Sequence, residues 1–309
     1  MKLGINQIGS FIPSKKHLNL NLNEKDEKEI DFIKNKIGFI SVAKKDENQE
    51  TSDLAVNAFL NLQKKNGIDI NVIDCLIVCT QNPDSYGLPH TSSIIHKKLG
   101  LSSRCAAFDF SLGCSGYVYG LSIIKSFMES NNLKNGLLFT SDPYSKIING
   151  EDRNTSLLFG DAATVTLIND NPIYFFDNFL FGTNGQLGDS IQKNNKNILE
   201  MNGRAVFNFT ATVIPDSINE YLKKNNLEVL DIDLFILHQG SKFIVETINK
   251  KLNLSIDKSP FLAESIGNTV SSSIPLILES KIENKSSKIL ISGFGVGLSW
   301  ATTLLKQAS

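Results

Sequence analysis

The two halves of this sequence repeat one pattern. The stretches "VIDCLIVCTQN" (72–82) and "DIDLFILHQGS" (231–241) each begin with a short acidic segment, continue as an apolar strand and end in a polar residue followed by Gln. The stretches "SLGCSGYVYGLSIIKS" (111–126) and "SIGNTVSSSIPLILES" (265–280) each place Ser, an apolar residue and Gly before a polar or reactive residue that opens a helix. Such repetition indicates a duplicated α/β unit whose matching loops converge. The matches are short, and chance similarity is the alternative explanation.

Alignment of the two halves places chemically useful residues at equivalent positions. Cys114 falls opposite Asn268, and Thr80 falls opposite His238. Because matching loops converge in a duplicated unit, we expect Cys114, Asn268 and His238 to lie close together.

Apolar runs typical of strands recur along the chain, and most are continuous rather than alternating. Strands buried on both faces show this pattern, which favours sheets covered by helices on each side. The predicted strands lie at 72–80, 105–110, 136–142, 162–168, 232–238, 288–295 and 298–305. The predicted helices lie at 52–66, 91–99, 114–130, 206–225, 240–252 and 269–283. Strands that alternate with helices indicate an α/β protein, with residues 1–170 as one half and 171–309 as the other.

Two segments depart from this alternation. Residues 169–205 contain "GTNGQLGDSIQKNNKN", whose Gly, Asn and Lys content predicts a surface loop that connects the halves. Residues 23–40 read as a charged helix with an apolar stripe, inserted before the first α/β unit.

The overall composition points to a cytoplasmic protein with a large core. Of 309 residues, 41% are hydrophobic, and the net charge of −1 suggests neither nucleic acid nor an acidic membrane surface as a partner. The N-terminus lacks the apolar core of a signal peptide, and no run of about 18 apolar residues predicts membrane insertion. The four cysteines form no C-x-x-C pair, which favours free thiols in a reducing compartment over disulfides or a metal site.

Cys114 lies between two glycines, at the start of a predicted helix that is apolar nearly all round. Backbone N–H groups at a helix start lack intrahelical partners, and the helix dipole there favours negative charge. Both effects lower the pKa of a thiol, so the position predicts a reactive thiolate. A buried packing residue is the alternative, since free cysteines are commonly buried. Cys75, Cys79 and Cys105 lie within or beside strand runs and are predicted to be packing residues.

Three further features are candidates for the same site. His238 ends an apolar strand, where the loops of an α/β sheet collect functional residues; a structural histidine is the alternative. Asn268 opens a helix in the second half, where its side chain can cap the helix and also donate through its amide. The stretch "SGFGVGLSW" (292–300) is either a tight hairpin or a loop whose backbone N–H groups face an oxyanion.

Together these features resemble the thiolase superfamily, and most of all the ketoacyl-[acyl-carrier-protein] synthase III family. The resemblance covers nearly the whole chain and places a Cys, an H-Q and a G-N-T in the family's order. The stretches that carry it are "FDFSLGCSGYVYGL" (108–121), "DRNTSLLFGDAA" (152–163), "MNGRAVF" (201–207), "FILHQGSKF" (235–243), "GNTVSSSIP" (267–275) and "GFGVGLSW" (293–300). The resemblance implies a thiolase-like fold of five layers, αβαβα, built from two duplicated halves and assembled as a homodimer.

The resemblance also implies the reaction, a decarboxylating Claisen condensation of the kind used in fatty acid biosynthesis. Cys114 would take an acyl group from acyl-CoA or from acyl-ACP, where ACP is the acyl carrier protein. His238 and Asn268 would bind the thioester carbonyl of malonyl-ACP and stabilise the enolate formed on decarboxylation. The backbone N–H groups of Cys114 and Val296 would hold the oxyanion of the acyl step. Acyl-CoA and malonyl-ACP are implied as substrates, with no permanently bound cofactor and no metal.

Several binding residues are implied in the same way. The residues for CoA and pantetheine are Phe32, Lys36, Arg153, Gly203 and Ser241. The residues for the acyl pocket are Phe159 and Leu88, the latter contributed by the partner subunit. The residues for carrier-protein contact are Lys242, Lys250 and Lys251, for which a solvated helix face is the alternative.

The sequence departs from the family pattern at four of these positions, and two of them are Lys36, where an arginine is usual, and Ser241, where an asparagine is usual. Phe32 stands where a tryptophan commonly stacks on the CoA adenine, which leaves acyl-ACP open as the donor. Leu88 stands where a phenylalanine is often found, and its smaller side chain predicts a longer or branched primer.

Other functions remain as alternatives at this stage. One is a specialised member of the same family that serves secondary-metabolite or surface-glycan biosynthesis. Another is a cysteine hydrolase, since papain-like enzymes also carry Cys, His and Asn in this order, although their fold is not a repeat. A third is a partner subunit that binds without catalysis, against which the complete Cys–His–Asn set argues.

Overall fold

Thirteen strands and eight α-helices form the regular structure of the residues that the computed structural model describes, which are 2–20, 26–282 and 286–308. The strands are β1 (Gly4–Phe11), β2 (Lys16–Leu18), β3 (Ser41–Ala43), β4 (Cys75–Cys79), β5 (Ala106–Phe110), β6 (Gly136–Ser141), β7 (Ala163–Asn169), β8 (Tyr174–Thr183), β9 (Ile191–Lys193), β10 (Leu199–Met201), β11 (Leu234–Leu237), β12 (Lys288–Gly295) and β13 (Ser299–Gln307). The helices are α1 (Glu27–Asp31), α2 (Thr51–Asn66), α3 (Thr91–Leu99), α4 (Gly116–Asn131), α5 (Arg153–Ser156), α6 (Gly203–Lys224), α7 (Lys242–Leu252) and α8 (Ser273–Lys281). None of these described helices has both the length and the apolar character that crossing a membrane requires.

Nine strands form one sheet in the order β5-β4-β6-β7-β1-β8-β13-β12-β11. In its first half, β4 is parallel to β6, β6 is antiparallel to β7, and β7 is antiparallel to β1. In its second half, β11 is parallel to β12, β12 is antiparallel to β13, and β13 is antiparallel to β8. Strand directions therefore repeat between the two half-sheets, which are joined by a short β1–β8 pairing. The predicted boundary after residue 170 falls between β7 and β8, and as a division into domains it stays a prediction.

The strands are buried on both faces, as their continuous apolar runs predict. On β4, Ile77 packs into a central core with α4 and α8, whereas Leu76 packs into an outer core with α2 and α3. On β11, Ile236 packs into the same central core, whereas Phe235 packs into an outer core with α6 and α7. Successive side chains of a strand point to opposite faces, so each half-sheet separates two cores. The order of layers is helix, sheet, helix, sheet, helix, which confirms the predicted αβαβα arrangement.

Each central helix begins against the half-sheet of the opposite half. A Cβ atom on Gly293 of β12 would lie 2.7 Å from the Cys114 carbonyl oxygen, so the segment before α4 touches the second half-sheet. Just before α8, the Ser272 Oγ lies 2.8 Å from the Thr140 Oγ1 of β6, in the first half-sheet. This exchange brings the loops of both halves to one place, as the sequence repeat predicts.

The prediction of a surface loop over 169–205 is wrong, because this segment contains β8. This strand pairs with β13 along most of its length and supplies the strand equivalent to β1 in the second half-sheet. The aromatic-rich sequence of β8, "YFFDNFLFGT", is typical of a strand. The Gly- and Asn-rich composition that predicts a loop lies mostly after β8, around β9 and β10. The sequence patterns also did not predict β1.

The helix predicted over 23–40 is present in part. Asp26 caps α1 by accepting a hydrogen bond from the Glu29 backbone N–H at 2.8 Å. The helix continues as a π-helical segment, Phe32–Ile37, and ends at Gly38, whose φ of +82° favours glycine. Residues 23–25 of the prediction lie outside the described residues.

The close contact at Gly293 predicts a measurable loss of stability on substitution. In Gly293→Ala the new methyl group meets backbone atoms of Cys114 and Ser115, which cannot move independently of α4. We expect the free energy of unfolding to fall by about 1–3 kcal/mol, as for other overpacked positions. Denaturant unfolding measures this change, with Gly185→Ala as the control because a methyl group there would have no other atom within 4 Å. Equal stability of the two variants would contradict the packing described here.

Candidate active site

Cys114, His238 and Asn268 line one cavity of about 480 Å³. Their exposed fractions are 5%, 3% and 5%, so all three are buried. Cys114 immediately precedes Ser115 and α4, His238 follows β11, and Asn268 lies in the turn before α8. The convergence expected from the sequence repeat is therefore present.

Glycines allow the backbone to close around Cys114. A Cβ atom on Gly295 would lie 2.8 Å from the Cys114 Sγ, and one on Gly113 would lie 3.1 Å from the Val296 Cγ2. The loop after β12 thus lies directly over the thiol, and the backbone N–H groups of Cys114 and Val296 both interact with the sulfur. The helix itself begins at Gly116 rather than at Cys114 as predicted.

The predicted lowering of the Cys114 pKa is wrong. Burial raises the pKa of the thiol well above its usual value, and the nearby Asp142 carboxylate raises it further. Hydrogen bonds from the backbone N–H groups of Cys114 and Val296 act in the opposite direction but do not outweigh these effects. Without substrate, Cys114 is therefore a neutral thiol at neutral pH.

Asp142 is a fully buried carboxylate behind the thiol, and the sequence interpretation missed it. It accepts hydrogen bonds from the Gln81 backbone N–H at 2.7 Å and from the Ser271 Oγ at 2.6 Å. Burial raises the pKa of Asp142 to about 6, so the group is ionised at neutral pH. These bonds connect the loop after β4 to the turn that carries Asn268.

His238 is held by a partner that the sequence interpretation also missed. Its Nδ1 lies 2.7 Å from the Ser273 Oγ, and its ring contacts that of Phe294 in a T-shaped arrangement. Burial lowers the pKa of His238 to about 3, so the ring is neutral at neutral pH. With Nδ1 bonded to Ser273, Nε2 is the ring nitrogen that remains for a group in the cavity.

Asn268 is positioned by its backbone and by its own amide oxygen. Its N–H donates to the Leu158 carbonyl at 2.8 Å, and its carbonyl accepts from the Gly160 N–H at 3.0 Å. Its Oδ1 accepts from the Val270 N–H at 2.9 Å. The side chain therefore caps the short turn before α8 and leaves its NH₂ group to donate into the cavity.

Exposed residues mark the opening of the cavity, which we call the mouth. All five residues predicted to bind CoA and pantetheine line the cavity: Phe32, Lys36, Arg153, Gly203 and Ser241. At the mouth, the Lys36 Nζ lies 3.7 Å from the ring centroid of Phe243, which stacks on Phe207 at 5.0 Å. Arg153 forms an ion pair with Glu29 at 2.5 Å. Phe207 and Phe243 were not predicted, although both end stretches that carry the family resemblance.

Phe159 lines the cavity, but four other predicted residues do not. Leu88, with 86% of its surface exposed, lies between β4 and α3 and does not reach the cavity of its own chain. Lys242, Lys250 and Lys251 lie on α7, where the Lys242 Nζ is 3.9 Å from Glu246. A single chain therefore brings together the predicted catalytic residues and the residues of the mouth. Within that chain, neither Leu88 nor the three lysines of α7 line the cavity.

Two family models match the chain. One, described as 3-oxoacyl-[acyl-carrier-protein (ACP)] synthase III, matches residues 108–185, and one for the C-terminal part of the same enzyme matches residues 222–307. A beta-ketoacyl-[acyl-carrier-protein] synthase III of Campylobacter jejuni subsp. doylei is 33% identical over 99% of this chain and 98% of its own. The synthase III of Streptococcus gordonii is 32% identical over 97% of this chain and 98% of its own.

Solved structures show the same similarity. The synthase III structure from Thermus thermophilus superposes with a TM-score of 0.90 at 28% identity and covers 99% of each chain. Another 3-oxoacyl-(acyl-carrier-protein) synthase III structure gives a TM-score of 0.91 at 30% identity, covering 99% of this chain and all of its own. The thiolase-like fold predicted from the sequence is thereby confirmed.

The position of Asp142 predicts how a charge-removing substitution changes the thiol. Asp142→Asn keeps an acceptor for the Gln81 N–H but removes the negative charge that raises the pKa of Cys114. We expect alkylation of Cys114 by iodoacetamide at pH 7.5 to accelerate by about tenfold, the effect of a one-unit decrease in the thiol pKa. Peptide mass spectrometry over time measures the rate at Cys114 itself.

The control for this experiment is Asp161→Asn. Asp161 is also a buried carboxylate, but it bonds the Lys45 and Ser145 backbone N–H groups and is not among the groups that shift the Cys114 pKa. We expect its alkylation rate to equal that of the unmodified protein. A slower reaction in Asp142→Asn would show that the carboxylate activates the thiol.

Proposed function

Because the chain belongs to the 3-oxoacyl-[acyl-carrier-protein] synthase III family, we propose that it joins an acyl group carried on Cys114 to malonyl-ACP with loss of CO₂. The protein is a condensing enzyme, and the proposal assigns its substrates, its acyltransferase chemistry and the role of each residue. The observation that carries it is the convergence of Cys114, His238 and Asn268 in one buried, largely apolar cavity.

In the first step, the Cys114 sulfur attacks the carbonyl carbon of an acyl thioester. The negative charge that develops on the carbonyl oxygen is stabilised by the backbone N–H groups of Cys114 and Val296. The new C–S bond forms, the bond to the donor's sulfur breaks, and the thiol proton leaves with the departing thiol. Because the resting thiol is neutral, this step needs no net change of charge in the buried cavity.

In the second step, malonyl-ACP loses CO₂ and its thioester becomes an enolate. The His238 Nε2–H and the Asn268 NH₂ donate to the enolate oxygen, which favours the transition state in which this charge appears. The neutral histidine donates from Nε2 in the tautomer whose Nδ1 accepts the Ser273 hydroxyl hydrogen, and the 2.7 Å contact between these two atoms fits that tautomer. On decarboxylation the negative charge of the malonyl carboxylate moves to the enolate oxygen and CO₂ leaves as a neutral molecule. An apolar cavity favours this step because it solvates the localised carboxylate charge poorly, whereas the donors face the enolate oxygen.

The enolate carbon then attacks the acyl carbon on Cys114. A C–C bond forms, the C–S bond to Cys114 breaks, and a 3-oxoacyl-ACP leaves while the thiolate takes up one proton. The proton comes from solvent, and no step needs an external oxidant or reductant. We therefore propose no permanently bound cofactor.

We propose acyl-CoA as the first donor, with acyl-ACP as the alternative. Phe32 offers an exposed aromatic face for a base at the mouth, and Lys36 and Arg153 offer positive charge for phosphates. Gly203 and Ser241 border the path of a pantetheine arm from the mouth to Cys114. The acidic carrier protein is proposed to contact α7 through Lys242, Lys250 and Lys251.

We also propose that the protein works as a homodimer. β5 is an edge strand of the nine-stranded sheet, so one row of its backbone groups has no strand partner within the described chain. The adjoining segment exposes Tyr86 and Leu88 almost completely, at 98% and 86% of their surfaces. Pairing of β5 with its copy would bury this edge and carry Leu88 toward the acyl pocket of the partner.

The cysteine hydrolase alternative is not retained. Its fold is not a duplication, whereas this chain repeats one half-sheet and one central helix in each half. Condensation with malonyl-ACP also uses both the His238 Nε2–H and the Asn268 NH₂ group as donors, and both groups are left available to the cavity by their other hydrogen bonds.

Substitutions at the three catalytic residues separate the two steps. We expect Cys114→Ser to acquire no acyl thioester, since the nucleophile is lost. We expect His238→Ala and Asn268→Ala to load the acyl group but to condense it with malonyl-ACP about 10²–10³-fold more slowly, the usual cost of losing an oxyanion donor. Intact-protein mass spectrometry after exposure to a panel of acyl-CoA and acyl-ACP donors measures loading and identifies the primer.

Cys105→Ser is the matched control, because Cys105 is a buried free cysteine that does not line the cavity. It should load and condense like the unmodified protein. Thioester formation in Cys114→Ser at another cysteine would overturn the assignment of the nucleophile.

The proposed role of Leu88 predicts a change in primer length. Leu88→Phe should exclude long or branched acyl groups from the partner's pocket and lower their loading by about tenfold or more, because overpacking a pocket costs about 1–3 kcal/mol. Short acyl groups should load normally. Leu230→Phe, at a similarly exposed leucine outside the segment between β4 and α3, is the control, and sedimentation tests the dimer. A monomer in solution, or unchanged selectivity, would rule out this role.

A further inference from the structure

A second cleft, separate from the mouth, approaches the active site. Its volume is about 490 Å³, and it shares no lining residue with the first cavity. Its lining includes Gly267 and Thr269, which flank Asn268, and Ser273. It also includes the exposed ion pair of Lys65 and Glu279, so the cleft is open to water.

Ser273 lies between this cleft and the catalytic histidine. It is 3% exposed, it lines the cleft, and its Oγ is 2.7 Å from the His238 Nδ1. His238 in turn lines the first cavity together with Cys114. The Ser273 hydroxyl and the His238 imidazole therefore lie between the cleft and the cavity in which the thiolate forms.

The proposed reaction creates a need for such a connection. Each condensation releases Cys114 as a thiolate and consumes one proton. Burial and the Asp142 charge both disfavour a thiolate at this position. At that moment the carrier arm of the product fills the mouth, so water reaches the site poorly from that side.

We propose that Ser273 and the cleft beside it deliver the proton that returns Cys114 to its thiol form. A hydronium ion in the cleft gives a proton to the Ser273 Oγ, which passes its own hydrogen to the His238 Nδ1. The Nε2 hydrogen passes to the Cys114 sulfur. When the product leaves, Nε2 regains a proton from water entering the cavity and Nδ1 returns one through Ser273, which restores the starting tautomer. Protons therefore balance over the cycle.

This inference rests on the proposed condensation, and proton uptake is the readout that tests it separately. In a stopped-flow experiment, enzyme preloaded with an acyl group is mixed with malonyl-ACP in weak buffer that contains a pH indicator. Product formation and proton uptake are followed in the same reaction. In the unmodified protein we expect one proton per product, taken up at the rate of product formation.

Ser273→Ala removes the hydroxyl link and Ser273→Thr keeps it. We expect Ser273→Ala to load the acyl group normally and to form product more slowly, because His238 loses the partner of its Nδ1, with proton uptake delayed about tenfold behind that product. We expect Ser273→Thr to behave like the unmodified protein. If proton uptake keeps pace with product in Ser273→Ala, the relay is wrong. If this variant loads acyl but forms no product, Ser273 acts by positioning His238 and the relay is again rejected.

A second variant tests the cleft without touching Ser273. Ser280 is an exposed residue of the cleft that lies further along α8 than Ser273, and Ser280→Trp places a large ring over the opening. We expect the same delay in proton uptake with unchanged loading, and equal rates of uptake and product formation would overturn the proposal. If the unmodified protein itself forms no 3-oxoacyl product, the proposed function fails instead.

Discussion

The start of each central helix lies against the half-sheet of the opposite half, and the active site depends on this contact. Gly293 has no side chain, which lets the Cys114 carbonyl approach β12 closely, and Ser272 bonds Thr140 across the same boundary. Because α4 and α8 share the central core between the two half-sheets, neither helix can shift without disturbing the packing of the other. Cys114 and the Asn268 turn are thereby held on rigid supports, which is what positioned donors and nucleophiles require.

Burial determines the charge state of the site. Cys114 and His238 are both neutral at rest, because removing either from water disfavours its charged form. The resting site therefore holds a neutral thiol and a neutral imidazole rather than a thiolate–imidazolium ion pair. The buried charge of Asp142 is held by Gln81 and Ser271 and acts on the thiol from behind. In the proposed reaction, new negative charge appears in the cavity only while a thioester reacts, and the proposed role of the His238 and Asn268 donors is to stabilise that charge.

Much of the architecture could be predicted from local patterns. The continuous apolar runs of β4, β6 and β11 require burial on both faces, and the repeat between the halves predicted the convergence of Cys114, Asn268 and His238. β8 was missed although its aromatic run is typical of a strand, because the Gly- and Asn-rich segment that follows it dominated the composition of residues 169–205 and its pairing with β13 is a long-range contact. The thiol pKa was predicted in the wrong direction, since a helix start is visible in sequence while depth of burial and the approach of Asp142 are not.

The sequence by itself determined the fold class and pointed to Cys114, His238 and Asn268 as the candidate nucleophile and its candidate partners, because periodicity, repetition and residue type can be read along the chain. The tertiary structure decided which groups surround them. Ser273 reaches His238, Asp142 lies behind Cys114, and Phe207 stacks on Phe243 only because distant segments pack together. The apolar setting that keeps Cys114 neutral likewise exists only after folding, since the free energy of a charge depends on all of the groups around it.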